Sequence, residues 1–201
     1  RFLSILLIVA LGVAFFAGVK ASPPDMKASA DDYFDRYGLQ DIQVFSTLGL
    51  DLQDLDAMRE VPGVESVQGL YNQDVLVRID KSEQVWKLFS LPENPEMNLI
   101  RVEEGRLPEK PDECLIEGGS MESGLKGTFA IGDKVRIESG TKDPLSDTLK
   151  HEEYTVVGKG FTPRYLSFEK GTSAIGSGSV DGFLFVPEAA VKSGYYTEAD
   201  V

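Results

Sequence analysis

Apolar positions open the chain without a break. Phe2 to Val19 reads FLSILLIVALGVAFFAGV, eighteen residues with no charge and Ser4 as the single polar side chain. No polar stripe of the kind a surface helix turns to water interrupts the run. At 1.5 Å per residue it reaches roughly 27 Å, close to the hydrocarbon thickness of a bilayer. The pattern predicts a transmembrane helix over residues 1–19. A retained anchor is the favoured reading, because Gly12 and Gly18 are ordinary in membrane helices and Lys20 is unusual just before a cleavage point. A cleaved signal segment stays open, since Val19-Lys20-Ala21 before Ser22 is a passable small-residue context. No cysteine follows the run, which excludes a lipoprotein anchor.

The periodicity then changes. Ser22-Pro23-Pro24 predicts an end or a kink in the first helix. Asp25 to Tyr37 places Met26, Ala30, Tyr33, Phe34 and Tyr37 on one helical face with Gly38 as its C-cap, a stalk helix over 20–38. Asp41 to Ser46 alternates as a strand, and Asp51 is the N-cap expected for a helix from Leu52 to Glu60 that Pro62-Gly63 stops. Strands at Val64–Tyr71 and Val75–Ile79, with Asn72-Gln73-Asp74 between them as a turn, complete a right-handed βαβ unit extended by a hairpin. Val85 to Leu91 is a further strand, broken by Pro92 and Pro95. Residues 39–110 thus read as an α/β subdomain.

Beyond Leu107-Pro108 short strands at Cys114–Glu117, Lys134–Glu138, Tyr154–Gly158 and Gly182–Val186 alternate with glycine-rich and polar connections, a small β-rich subdomain over 111–186. Residues 139–153 read as a solvent-exposed hairpin loop and 171–178 as a flexible loop. Residues 187–201 return towards the α/β subdomain without an evident closing element. The fold class expected is α+β: a transmembrane helix and stalk helix, then a βαβ-containing mixed subdomain with a small β-rich subdomain inserted.

Charge sharpens this division. Residues 1–20 hold Arg1, Lys20 and no acid, which leaves 18 Lys+Arg against 33 Asp+Glu in the remainder, a net of −15. Phosphate neutralisation needs clustered bases, so nucleic acid is excluded as a partner. The acidic bulk is permissive for export, and whether the apolar run is retained or cleaved, residues 20–201 are expected outside the cytoplasm of a cell membrane. A lone cysteine, Cys114, excludes an internal disulfide and a multi-cysteine zinc site. Arg rather than Met at position 1, and the stop at Val201, read as the limits of a piece of a longer polypeptide.

Chemistry is sparse. The only histidine, His151, lies in a polar loop between Lys150 and Glu152 and reads as solvated; Cys114 sits in an apolar strand pattern and reads as a core residue rather than a nucleophile. Gly176, Gly178 and Gly182 lack dinucleotide spacing, and no P-loop is present. Asp51, Asp54 and Asp56 lack the glycine and terminal glutamate of a calcium loop and read as a cap and a solvated face. No acidic pair has a spacing that singles it out for glycoside hydrolysis. Catalytic, cofactor and metal residues are therefore assigned to none, and the chain is read as not an enzyme.

Several segments in order carry a resemblance: RFLSILLIVALGVAFFAGVKASPPDM, DIQVFSTLGLDLQDLDAMREVPGVESVQG, EEGRLPEKPDECLIEGG, IGDKVRI, EYTVVGKGFTPRYLS and FLFVPEAA. Together they resemble FtsX/MacB-type ABC-transporter permeases, most closely the versions of Gram-positive bacteria, over the first transmembrane helix and the extracytoplasmic core domain. The motif positions are Pro62 and Gly63 after a helix, Gly105-Arg106-Leu107-Pro108 with Glu113 after it, Gly132-Asp133 before a strand, and Gly158 closing another. Their residue types are those of scaffold: glycines for tight turns, prolines fixing chain direction, Asp133 able to bond its own turn. Arg106 reads equally as a buried ion-pair partner of Glu113 or as a surface arginine.

The resemblance implies a porter-like role for the α/β subdomain. It also implies further transmembrane helices, a cytoplasmic ABC ATPase subunit that hydrolyses the ATP, a permease dimer, and an extracytoplasmic protein, peptide or lipid partner. Motion driven by that ATPase would pass through the stalk helix to the external domain, a mechanotransmission that serves export or regulation. The alternative is a stand-alone exported or single-pass binding protein.

Overall fold

A computed structural model of the chain describes residues 1–79, 82–119, 129–165, 167 and 169–201. They fall into two units, Arg1–Arg36 and Tyr37–Val201. The first is helical. Helix α1 runs from Phe2 to Tyr37 with Pro23 and Pro24 inside it, where the sequence predicts an end or a kink. A proline in a helix interior removes one i→i−4 hydrogen bond and crowds the preceding turn, at about 3 kcal/mol. The helix nonetheless continues, so transmembrane and stalk segments are one element. It is long and apolar enough to cross a membrane, and its apolar window is wholly exposed. Its charged half carries an Arg36–Asp32 pair one turn apart at 2.7 Å. Gly38, at φ 57°, follows as the left-handed cap expected after α1.

Two sheets build the second unit. The smaller contains β1 (Gln43–Leu50), β2 (Gln68–Leu70) and β10 (Tyr196–Asp200) in the order β1-β10-β2. Both outer strands are antiparallel to β10 and therefore parallel to each other, and α2 (Leu52–Arg59) connects them. The predicted βαβ unit is present in a split form, with the last strand of the chain inserted through its middle. The terminal segment, read from sequence as lacking a closing element, is thus the central strand.

Asp51 caps α2 as predicted, accepting from the backbone N–H groups of Gln53 and Asp54, while Asp54 accepts in return from the N–H of Asp51. Leu50, Leu55, Val67 and Ala199 form the small core beneath. The packing is close. A Cβ added at Gly69 would lie 2.7 Å from the Tyr196 ring and 2.8 Å from Leu55.

The larger sheet has seven strands in the order β5-β8-β6-β9-β4-β3-β7, with β7 also pairing β8. These are β3 (Asn72–Ile79), β4 (Ser82–Leu91), β5 (Arg101–Gly105), β6 (Glu113–Glu117), β7 (Lys134–Glu138), β8 (Glu153–Phe161) and β9 (Gly182–Pro187). The extra pairing closes six of them, β8-β6-β9-β4-β3-β7, into a barrel, and β5 takes the edge of β8 that β7 leaves free. Alternation supplies the interior. Val75 and Val77, Trp86 and Leu88, Cys114 and Ile116, Val135 and Ile137, Tyr154 and Val156, and Leu184 and Val186 all belong to one buried cluster.

Leu145 and Leu149, from the connection read as a solvent-exposed loop, join that cluster, so residues 139–153 cap the barrel. The outer face of β4, β6 and β9 is covered in turn by a second cluster of Phe89, Leu115, Phe183 and Phe185. That double covering is why β9 is buried along its whole length.

Two local expectations change. Asn72-Gln73-Asp74 is not a turn but the start of β3, and the chain passes from the small sheet to the barrel at Tyr71. The hairpin is β3 with β4, paired from Asn72↔Phe89 to Ile79↔Ser82. These two strands, grouped by sequence with the α/β part, hydrogen-bond in the same sheet as β6 to β9. The segment 171–178 is closed by a Thr172↔Ser179 bridge and anchored by buried Ile175.

Candidate functional site

The predicted scaffold residues gather where β5 leaves the sheet. Gly105 has φ 78°, and a Cβ on it would meet the Val157 carbonyl oxygen at 2.2 Å. The next N–H, of Arg106, donates to that same oxygen at 3.0 Å. Facing it, a Cβ on Gly158 would lie 2.1 Å from the Arg106 carbonyl oxygen. Two glycines thus let two backbones touch where any side chain would force them apart.

Arg106 then turns back onto Glu113. Its Nη1 and Nη2 donate to the two carboxylate oxygens at 2.8 and 2.7 Å, and Nη1 also donates to the Leu107 carbonyl at 2.9 Å. The same carboxylate accepts from the N–H groups of Glu109 and Lys110 at 3.0 and 3.2 Å. Residues 106–113 are a loop closed around one anion. The bonds from Arg106, seconded by the two N–H groups, hold the Glu113 carboxyl down to about 2 against the opposing effect of its burial. Of the two readings open at Arg106, the structure places the guanidinium half exposed on a buried glutamate.

Gly132 and Asp133 dock on the same stretch of β8. Asp133 Oδ2 accepts from the Ala130 N–H at 2.7 Å, as a turn-stabilising aspartate does, and Gly132 N–H donates to the Val156 carbonyl at 2.8 Å. Gly105, Arg106, Gly132 and Asp133 therefore gather on Val156–Gly158, with Glu113 held there by Arg106. Pro62 and Gly63 are elsewhere, at the exit of α2, where Gly63 has φ 99° and open space around it.

Leu107 and Pro108 lead out of this clasp into a groove. β4 and β9 run parallel and end in register at Leu91↔Pro187. Pro92, Glu93 and Pro95 beyond one strand, Pro187, Glu188 and Ala189 beyond the other, and Leu107-Pro108-Glu109 as a third wall enclose about 800 Å³. A smaller cleft of about 220 Å³ shares Pro92 and Glu188 and continues towards Gly69 and Tyr196.

A second polar centre lies between the small sheet and the barrel, and the sequence reading missed it. On β10, Ala199 faces the α2 core while Glu198 and Asp200, two residues apart, face the other way and are fully buried. Arg164, itself 4% exposed, reaches both, with Nη1 on Glu198 at 2.6 Å and Nη2 on Asp200. Asn98 Nδ2 donates to Asp200 at 2.9 Å, Gln43 Nε2 to Glu198 at 3.1 Å, and Asn72 to the other oxygen of Glu198. Burial pushes the Asp200 carboxyl up to about 7, with Arg164 opposing and Glu198 reinforcing the rise. The signal available in the sequence was the alternation Glu198-Ala199-Asp200, in a segment read only as lacking an evident closing element.

Cys114 is enclosed in the barrel, and burial pushes its thiol up to about 12, the behaviour of a core residue. His151 is exposed at the barrel end, beside the Tyr154 ring at 6.3 Å. Among the described residues no group of three or more His, Cys, Asp or Glu side chains is arranged to hold a metal ion.

No family model matches the chain, and no curated protein matches it. Among solved structures, it is similar to the extracellular domain of the noncanonical ABC-type transporter YknZ from Gram-positive bacteria. The identity is 13% and the TM-score 0.43, over 77% of this chain and 73% of that one. It is similar also to the periplasmic region of MacB from Actinobacillus actinomycetemcomitans, at 13% identity and a TM-score of 0.43, over 78% of this chain and 64% of that one.

Proposed function

We propose that the chain is part of an ABC-transporter permease of the FtsX/MacB type. In this reading α1 crosses the cell membrane and residues 20–201 lie outside the cytoplasm. The domain acts there without enzymatic chemistry of its own, and a cytoplasmic ATPase subunit hydrolyses the ATP. The observation that carries the reading is the single helix from Phe2 to Tyr37, in which a bilayer-length apolar segment and a charged stalk are one element despite two prolines. A signal segment destined for removal needs no such continuation. The ordered motifs from Pro62 to Gly158 support it, since those between Gly105 and Gly158 cooperate in one clasp on β8.

The mechanism proposed is mechanotransmission. ATP-driven closure of the ATPases in a permease dimer moves the membrane helices, and α1 passes the displacement outward. Tyr37 and Gly38, at its end, accept through their carbonyls from the N–H groups of Leu99 and Asn98 at 2.8 and 2.7 Å. The porter-like split βαβ sheet and the barrel then form the surface that exports or regulates an extracytoplasmic protein, peptide or lipid.

Purification of the natural full-length product from its own membranes in mild detergent tests the reading. An ABC ATPase is expected to co-purify in stoichiometric amount, with two permease copies per complex. A product that stays single-pass and purifies without an ATPase would refute it in favour of a stand-alone binding protein.

A further inference from the structure

The groove at the ends of β4 and β9 has walls of unusual composition. Pro92, Pro108 and Pro187 present fixed backbone and no N–H, and Leu107 adds apolar surface. Such walls accept hydrogen bonds through their carbonyls and donate none at the prolines. Three carboxylates, Glu93, Glu109 and Glu188, line the same space, and no basic residue among the described residues does. None of the three belongs to an ion pair among the described residues, whereas Asp74, Glu113, Glu117, Glu198 and Asp200 all face a Lys or Arg. Glu188 accepts one bond, from the Tyr196 hydroxyl at 3.1 Å, which leaves its second oxygen open to the groove or to water.

We infer that this groove binds a cationic, apolar peptide segment. Complementarity fixes the sign: an occupant must bring positive charge to the three carboxylates, N–H donors to the carbonyls and apolar side chains to Leu107 and the prolines. A second copy of this chain is the wrong partner, because residues 21–201 carry a net of −15 and would bring acid to acid. An anionic lipid surface fails for the same reason. The volume of about 800 Å³ suits such an occupant, lying within the range of about 300–1,000 Å³ usual for ligand pockets.

The groove is also formed in advance. One wall hangs from the Arg106–Glu113 clasp, and the other two extend from strands locked in parallel register, so little ordering is left for binding to oppose. The inference goes beyond the permease reading and does not depend on it, since a stand-alone binding protein would present the same surface.

The test is fluorescence anisotropy with the full 201-residue chain in uncharged detergent micelles, empty micelles serving as the blank. The probe is a labelled nonapeptide of three Lys-Leu-Pro repeats, compared with its Glu-Leu-Pro counterpart. The lysine peptide is expected to bind, more weakly as salt rises, and the glutamate peptide not to bind. Replacing the three acids together (Glu93→Gln, Glu109→Gln, Glu188→Gln) should weaken binding about tenfold, as three exposed charge contacts allow. Glu93→Lys alone, at an exposed position outside the clasp, should weaken it about threefold or more. The inference is overturned if both peptides bind alike. It is equally overturned if the triple variant, with the wild-type fluorescence of buried Trp86, keeps its affinity. Self-association of the chain that Glu93→Lys abolishes would assign the groove to a second copy instead.

Discussion

Replacing Arg164 by Met should destabilise the fold by removing a buried charge more than by removing packing. The guanidinium is the only cation on Glu198 and Asp200 among the described residues, and all three side chains are at most 4% exposed. It also lies 5.3 Å from the centre of the Phe89 ring, so methionine keeps part of the packing and the charge is what is removed. Breaking a buried ion pair by deleting one partner typically costs about 3–5 kcal/mol, because the remaining charge is desolvated without compensation. Asn98, Gln43 and Asn72 still donate to the carboxylates, which places the expected loss near the lower end, at about 3 kcal/mol.

The loss must depend on pH. In the wild-type protein the Asp200 carboxyl is raised from 3.8 to about 7, so the folded state keeps a proton that the unfolded chain releases. Its contribution to stability is therefore full below the unfolded value and declines as pH rises through the folded one. Without Arg164, which opposes the rise, the Asp200 carboxyl gains still more by protonation. The cost of the substitution should be largest near pH 8 and shrink substantially by about pH 5. Urea unfolding followed by the single tryptophan, Trp86, buried in the barrel, reads both quantities. A loss below about 1 kcal/mol near pH 8, or one of equal size at both pH values, would refute the reasoning.

Two further predictions concern the clasp and its contrast position. Gly158→Ala drives a Cβ onto the Arg106 carbonyl and should destabilise by more than about 3 kcal/mol, whereas Gly63→Ala meets open space and pays only for its positive φ, about 1 kcal/mol; urea midpoints compare the two. Glu113→Gln should remove a specific acid sensitivity. With its folded value held at about 2 against 4.5, Glu113 stabilises the wild type above the unfolded value, and that contribution disappears as pH falls through the folded one. The variant should show a flatter stability profile between those values and a loss of about 1.5–3 kcal/mol at neutral pH.

Much of the strand inventory is legible because it follows alternation. β4, β6, β7, β8 and β9 appear within a residue or a few of their expected limits, and the Asp51 cap is an entirely local device. β5 was not, since Arg101-Val102-Glu103-Glu104-Gly105 is mostly exposed and gives no alternating signal. Asn72-Gln73-Asp74 has the composition of a turn, yet Asn72 bonds Glu198 and Asp74 pairs with Lys87 at 2.7 Å, and those distant partners override local preference. The clasp was half legible: glycines, Arg106 and Glu113 stood out as scaffold, but only the fold showed one carboxylate closing the loop. The groove was not legible at all. Its walls come from three stretches of chain, and prolines that read as strand breakers become lining once β4 and β9 end side by side.

The sequence by itself determined the apolar N-terminal helix, the acidic character of residues 21–201, the cap of α2 and the apolar faces of the barrel strands. Each depends on neighbours within a turn or a pleat, or on composition alone, so its physics is local. Tertiary structure alone decided that the chain's last residues form the middle strand of the small sheet, and that Glu198 and Asp200 are buried. A charged strand can be central only where a partner from elsewhere, here Arg164, neutralises it, and long-range pairing of that kind leaves no periodic trace in the residues that depend on it.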